Sequence, residues 1–337
     1  MRNLNISSLK KKLSIIPLFY QLISNRTKIG FKSFSELFAF LIIINPILNK
    51  LFCMWFSNLN EKSTFSFNII KKLINKGIGF GAIRHITPEN RSKFNNFIFD
   101  HERIDSKNIT KEISEIINTL CIDGYSKLPI KLNQNEIIDI QEYFGNCSFY
   151  DSQVYAQSNS KEINLDWRKI KNNNSNKRNF CFKQLDTINY LNKHPIINFK
   201  YLKQIADLYC GFNTNLYELN TFGTFSGIVN SYVMRKHRDF DDFKFLTFFI
   251  ALTETTEEDG ATLFAPGTHI TSKLSKKMIA LSAKVGEVYA LDTFGFHAGN
   301  SNILKPRLTT WIRYGNSTNL ATIQNGTSNE IGFLQSN

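Results

Sequence analysis

Apolar residues recur at helical spacing over residues 113–120 and again over 136–144, and between them Asp123-Gly124-Tyr125 reads as a turn entering a short strand. Beyond about residue 220 the pattern changes to short runs rich in Phe, Val, Thr and Ile, at 228–234, 243–252, 261–264, 287–291 and 308–314, separated by Gly, Asp and Asn. Strands spaced this closely, with no long helices between them, predict an antiparallel sandwich or barrel. The fold class is therefore mainly β with flanking helices, and a doubly wound parallel sheet is excluded, since neither GxGxxG nor GxxxxGKS/T occurs.

The first third of the chain follows a different pattern. Its most apolar stretch, 37–56, is interrupted by Asn45, Pro46, Asn49 and Lys50, which argues against a spanning helix. Two readings remain: a buried helical hairpin broken at Asn45-Pro46, or an interfacial segment whose flanking Arg26, Lys28 and Lys32 face anionic headgroups. Residues 89–111 are polar and read as a linker. The Asn-rich run 171–177 has too little apolar surface to order itself and reads as a mobile loop. The expected organisation is a mostly helical module over 1–111, a catalytic-size domain over 112–318 and a tail over 319–337.

Charge and composition narrow the field only partly. Of 337 residues, 42% are hydrophobic and 30 are Phe, so the chain has the means to bury a core. The 41 Lys and Arg against 28 Asp and Glu leave a net charge of +13, which suits an anionic partner. The basic residues are scattered, however, and no zinc-finger spacing or RNP-like run accompanies them, so nucleic acid is not the expected partner. Five cysteines without a CxxC pair suggest neither a disulfide framework nor a structural zinc site; they fit a reducing, cytoplasmic compartment, peripheral to a membrane if the first module lies on one. Lys10, Lys11 and Lys12 precede a short apolar run, but Pro17, Tyr20 and Gln21 break it, and no secretion signal is read.

The candidate chemistry begins at His237-Arg238-Asp239. In extended backbone, residues i and i+2 face the same way, so the His237 imidazole and the Asp239 carboxylate can converge on one ion while Arg238 points away. A lone His-x-Asp is weak evidence, and a surface ion pair is its plain alternative. The residues downstream add specificity: Asp259-Gly260 as a tight turn, Pro266-Gly267-Thr268-His269, Gly286-Glu287 opening another strand, then His297, and finally Arg307. His297 would be the third ligand. Arg307 opens a strand on which Thr309 shares its face, so a guanidinium and a hydroxyl can meet one carboxylate.

This ordered set resembles the phytanoyl-CoA dioxygenase family of non-haem iron(II), 2-oxoglutarate-dependent oxygenases over residues 112–318. That family pattern runs from an Asp-Gly-Tyr element through His-x-Asp, a Pro-Gly-Ser-His-like turn and a Gly-Asp turn to a distal His and a following Arg. The resemblance implies a double-stranded β-helix, iron held by His237, Asp239 and His297, and the distal carboxylate of 2-oxoglutarate held by Arg307. It also implies hydroxylation of a small-molecule substrate, anionic or lipid-like in view of the charge and the apolar first module, with release of succinate and carbon dioxide. Related halogenating enzymes lack the carboxylate that Asp239 supplies. Glu287 replaces the usual Asp of its turn, which reads as structural, and His269 reads as structural or gate-like instead of a ligand.

Thr247 and Phe249 share a strand face that either lines the co-substrate pocket or packs in the core. His85, His101 and His194 fall outside the motif set. A protein-kinase reading of His237-Arg238-Asp239 fails, because Lys244 stands where the catalytic-loop Asn belongs and no Gly-rich phosphate loop occurs. Two alternatives stay open at this point: a non-catalytic binding or membrane-surface protein on the same barrel, and a metal-dependent isomerase of cupin-like form that would not need Arg307.

Overall fold

The computed structural model describes residues 88–89, 91, 109–151, 162–169, 179–228, 235–239, 242, 244–271, 277–300 and 302–315. All belong to one compact unit, Ile83–Asn337. The apolar stretch 37–56, the loop 171–177, the tail 319–337, His85, His101 and most of the first module lie outside them.

Helix α1 (Lys111–Asp123) forms where the spacing predicts it. The Thr110 side chain caps it by accepting from the Ile113 backbone N–H, and Gly124 ends it in the left-handed region at φ 82°, its own N–H closing on the Leu120 carbonyl. Ile113, Ile116 and Leu120 form its buried stripe. The chain then enters β1 (Tyr125–Lys131) and α2 (Gln134–Asn146), which opens on a capping box between Asn133 and Glu136, each side chain bonding the other's backbone N–H at 2.9 Å. Next come three short strands, β2 (Phe149–Asp151), β3 (Glu162–Ile163) and β4 (Asn179–Phe182). Helices α3 (Gln184–Lys193) and α4 (Phe199–Cys210) lead to the long strand β5 (Asn215–Thr224). None of the helices among the described residues is long and apolar enough to cross a membrane.

The remaining strands build a jelly-roll-like core: β6 (Gly227–Ile228), β7 (Leu246–Ala251), β8 (Thr262–Phe264), β9 (Ile279–Leu281), β10 (Glu287–Leu291), β11 (His297–Ala298), β12 (Asn302–Ile303) and β13 (Arg307–Gly315). One sheet runs β1-β10-β7-β13-β5-β4-β2-β3, a second β11-β8-β9, and a third pairs β12 with β6, all antiparallel. Late strands thus pair with early ones: β13 lies between β5 and β7, and β12 beside β6. The predicted strands at 287–291 and 308–314 appear almost unchanged, whereas that predicted at 228–234 is seen only through Gly227–Ile228, the residues after it lying outside the description.

The two faces of the large sheet differ sharply. On one face Phe248, Ile250, Val288, Ala290, Leu308 and Ile312 join the main apolar core against the helices. On the opposite face of β13 the period of two sets Arg307, Thr309, Trp311 and Arg313 in a row, and their β7 neighbours are Ala251 across from Thr309, Phe249 from Trp311 and Thr247 from Arg313. That row is the floor of the candidate site. Arg91, which falls in the stretch expected to be a polar linker, is 3% exposed and forms an ion pair of 2.8 Å with Asp292; most of that stretch lies outside the described residues.

Candidate metal centre

His237 and His297 are cross-strand neighbours. Each donates its backbone N–H to the other's carbonyl, at 2.9 and 3.0 Å, and the ladder continues from the Asp239 N–H to the Thr293 carbonyl. A reciprocally bonded antiparallel pair directs both side chains to one side of the sheet, and the two rings stand 4.2 Å apart between centroids. Asp239, two residues on, faces the same way. The result is a group of His237, Asp239 and His297 whose ligand atoms all lie within 4.8 Å of one another.

The hydrogen bonds settle what these groups offer. The Nδ1 atoms of His237 and His297 lie 2.7 Å and 3.0 Å from the carbonyls of Arg235 and Gly295. Only a protonated Nδ1 can bond a carbonyl, so each ring turns its Nε2 inward as the atom left to meet an ion. The Asp239 oxygens stand 3.8 Å from His237 Nε2 and 3.7 Å from His297 Nε2. These gaps exceed hydrogen-bond length; the three groups surround a common point instead of closing on one another as a surface ion pair would. Burial opposes ionisation of Asp239, but His297, Arg313 and His237 outweigh it and hold the carboxyl below its ordinary range. Burial moves His297 the other way, lowering its affinity for a proton despite Asp239. A carboxylate and two neutral imidazoles are the donor set a divalent transition metal takes, with positions left open on one side.

The turns singled out in the sequence hold this arrangement. Thr268 Oγ1 accepts from the Phe296 N–H at 2.8 Å and donates to the Ala265 carbonyl, which ties the Pro-Gly-Thr-His turn to the segment entering His297. Asp123 and Gly124 accept backbone hydrogen bonds from Gly267 and Asp292 respectively. Arg238 does point away from the ligands. Its Nη1 reaches the carbonyls of Thr268 and Phe294, both at 2.6 Å, and its guanidinium lies 3.8 Å from the centroid of the Phe296 ring. Glu287 closes its turn by accepting from the Lys284 N–H and pairs with Lys127 at 2.7 Å, a structural use. His269 is buried and outside the triad, and His194 is exposed and stacked on Tyr190.

Arg307 is 7% exposed. Its Nη1 donates to the Gly260 carbonyl and Nη2 to Thr224 Oγ1 at 3.5 Å, while Nε has no hydrogen-bond partner. With burial unopposed by a carboxylate among the described residues, its proton affinity falls to a pKa of about 10. Arg307 and Thr309 line one pocket together with Phe249, Ala251, Leu281 and Leu291. An apolar pocket with a buried, uncompensated guanidinium in its wall suits a carboxylate attached to a short carbon chain. Phe249 therefore faces this pocket, as the sequence allowed. Thr247, on the same face, serves otherwise: its Oγ1 accepts from Arg313 Nε at 2.9 Å.

Arg313 is the residue that the sequence reading missed. Its Nη2 donates to Asp239 Oδ2 at 2.9 Å and its Nη1 pairs with Glu218 at 3.0 Å. The fork thus links β5, β7 and a metal-ligating candidate. The available signal was its parity with Arg307 on β13.

No protein-family model matches the chain, and no curated protein matches it. Several solved structures align with part of it. The non-heme alpha ketoglutarate dependent epimerase SnoN from nogalamycin biosynthesis is 18% identical, covering 60% of this chain and 82% of that one at a TM-score of 0.43. EctD from S. alaskensis with 2-oxoglutarate and 5-hydroxyectoine is 17% identical over 66% and 81%, at 0.42. HygX from Streptomyces hygroscopicus with nickel, 2-oxoglutarate and hygromycin B bound is 12% identical over 62% and 88%, also at 0.42. Likeness this remote carries no weight for the chemistry, which stands on the donors His237, Asp239 and His297 and on the uncompensated guanidinium of Arg307.

Proposed function

We propose that this chain is an iron(II)- and 2-oxoglutarate-dependent oxygenase of the double-stranded β-helix type, a hydroxylase of the phytanoyl-CoA dioxygenase kind acting on a small-molecule substrate. One observation carries the reading: two Nε2 lone pairs and a carboxylate converge on one point, and the same barrel holds a buried Arg307 that has no counter-ion among the described residues, in a largely apolar pocket. His237, Asp239 and His297 would hold the iron, and Arg307 with Thr309 would receive the far carboxylate of the keto acid. Iron(II) and 2-oxoglutarate, when bound, would supply the two-electron oxidation of a substrate C–H to C–OH, with dioxygen consumed and succinate and carbon dioxide released. The chain's own residues orient the reactants and exclude water. The backbone carbonyls of Arg235 and Gly295 fix both imidazole tautomers, and the β13 row sets the depth of the keto acid. The buried Arg307 also favours this reading over a cupin-like isomerase, which has no use for it.

The test is anaerobic titration of the full chain with iron(II) and 2-oxoglutarate. The expected result is the weak visible charge-transfer band of a chelated keto acid, absent from His237→Ala, followed by succinate release on admitting oxygen. No band, together with unchanged iron binding by His237→Ala, would overturn the proposal.

A further inference from the structure

A second cavity, of about 140 Å³, is lined by none of the three candidate ligands. Its walls include Cys121 of α1, Tyr209 of α4, Lys244, His269, Asp292 and Arg91. The one carboxylate among the described lining residues is committed. Asp292 Oδ2 accepts from Arg91 Nη1 at 2.8 Å and from the Tyr209 hydroxyl at 2.7 Å, and Oδ1 accepts from the Phe294 N–H at 3.1 Å. Its charge is therefore matched by Arg91, and Lys244 remains as a second cation. The Lys244 ammonium lies 4.7 Å from the centroid of the Tyr209 ring and makes no ion pair among the described residues.

His269 is the other unanswered group. It is 3% exposed, and among the described residues neither ring nitrogen makes a hydrogen bond of normal geometry. A buried polar group left unsatisfied costs about 1–3 kcal/mol, and few are found in folded proteins. Burial lowers its proton affinity; Asp292 and, less strongly, the backbone at Cys121 oppose that, while Arg91 and Lys244 act in the same direction as burial. Among the described residues the lining thus combines one net positive charge, a buried imidazole with no side-chain partner and space for several atoms.

We propose that this cavity binds a small oxyanion, a phosphate or a short carboxylate, which accepts from the Lys244 ammonium and from a ring N–H of His269. Such a ligand neutralises the extra cation and satisfies the imidazole in one step, and its size fits the volume. The site is separate from the Arg307 pocket and does not depend on the proposed oxygenase activity.

Calorimetric titration of the full chain with inorganic phosphate and, separately, with acetate tests it. One saturable site is expected for at least one of them: binding of phosphate alone identifies a phosphate-type site, and of acetate alone a carboxylate site. Lys244→Met, at a part-exposed position where folding is not at stake, should weaken that binding at least about tenfold while leaving iron(II) affinity unchanged. His269→Gln should weaken it as well. Crystals grown with selenate should show anomalous density in the cavity. No saturable binding, wild-type affinity in Lys244→Met, or a cavity holding water only would overturn the proposal.

Discussion

At the scale of single residues, Arg313 has the widest consequences. It donates to the Asp239 oxygen that also faces His297, and its remaining nitrogens are held by Thr247 and Glu218. Removing such a fork leaves carboxylates without their partner and the ligand free to turn. Arg313→Met should lower iron(II) affinity about 10–100-fold, measured by competition with a chelator, and Arg313→Lys should restore only part of it, because an ammonium cannot bond Asp239, Thr247 and Glu218 from one plane. Asp292 gives a prediction in pH. Burial opposes its ionisation, but Arg91 and His269, with hydrogen bonds from Arg91 and Tyr209, outweigh burial and depress its pKa below the unfolded value of about 3.9. A depressed carboxyl contributes stability that is fully present above the unfolded pKa and is lost as pH falls through the folded one. Asp292→Asn should therefore cost about 3–5 kcal/mol at neutral pH by leaving Arg91 buried without its partner. Its stability should fall less steeply than that of the wild type below about pH 4, as read from urea unfolding at several pH values.

At the scale of elements, the joints matter more than the strands. Gly124 ends α1, starts β1 and accepts the Asp292 N–H, and a Cβ placed on it would stand 2.5 Å from His269 Nδ1. Gly124→Ala should cost at least about 1–2 kcal/mol for the left-handed backbone alone, with a further loss from displacing a buried ring, measured as a lower midpoint in thermal or urea unfolding. The Asp-Gly-Tyr element was legible because only Gly adopts φ 82° cheaply, and the strand at 287–291 was legible from alternation bounded by Gly286. The helices α3 and α4 were not assigned from the sequence. Their apolar residues alone do not say against which strand they pack, and contact with β5, β7 and β13 decides it.

At the scale of the whole molecule, the three candidate ligands arrive on separate segments, His237 and Asp239 before β7 and His297 after β10. Folding must bring them together before any ion can be held, so metal binding is selective for the folded chain. Iron(II) at a hundred times its dissociation constant should add about 2.7 kcal/mol of stability, or roughly 5–10 °C in Tm for a unit of this size, and His237→Ala should show no such shift in a thermal melt.

The amino-acid sequence by itself determined the strand-rich second half, the helical spacing over 113–120 and 136–144, the shared face of His237 and Asp239, and the order of turn elements around them, because each depends on a period of two or 3.6 or on a glycine's backbone freedom. Tertiary structure alone decided that His297 pairs with His237, that Arg307 is buried on the Gly260 carbonyl with no counter-ion among the described residues, that Arg313 answers Asp239, and that Arg91 reaches Asp292 across 201 positions of sequence. Those facts are pairings between distant segments. Register and burial fix them, and no local pattern of residues carries either.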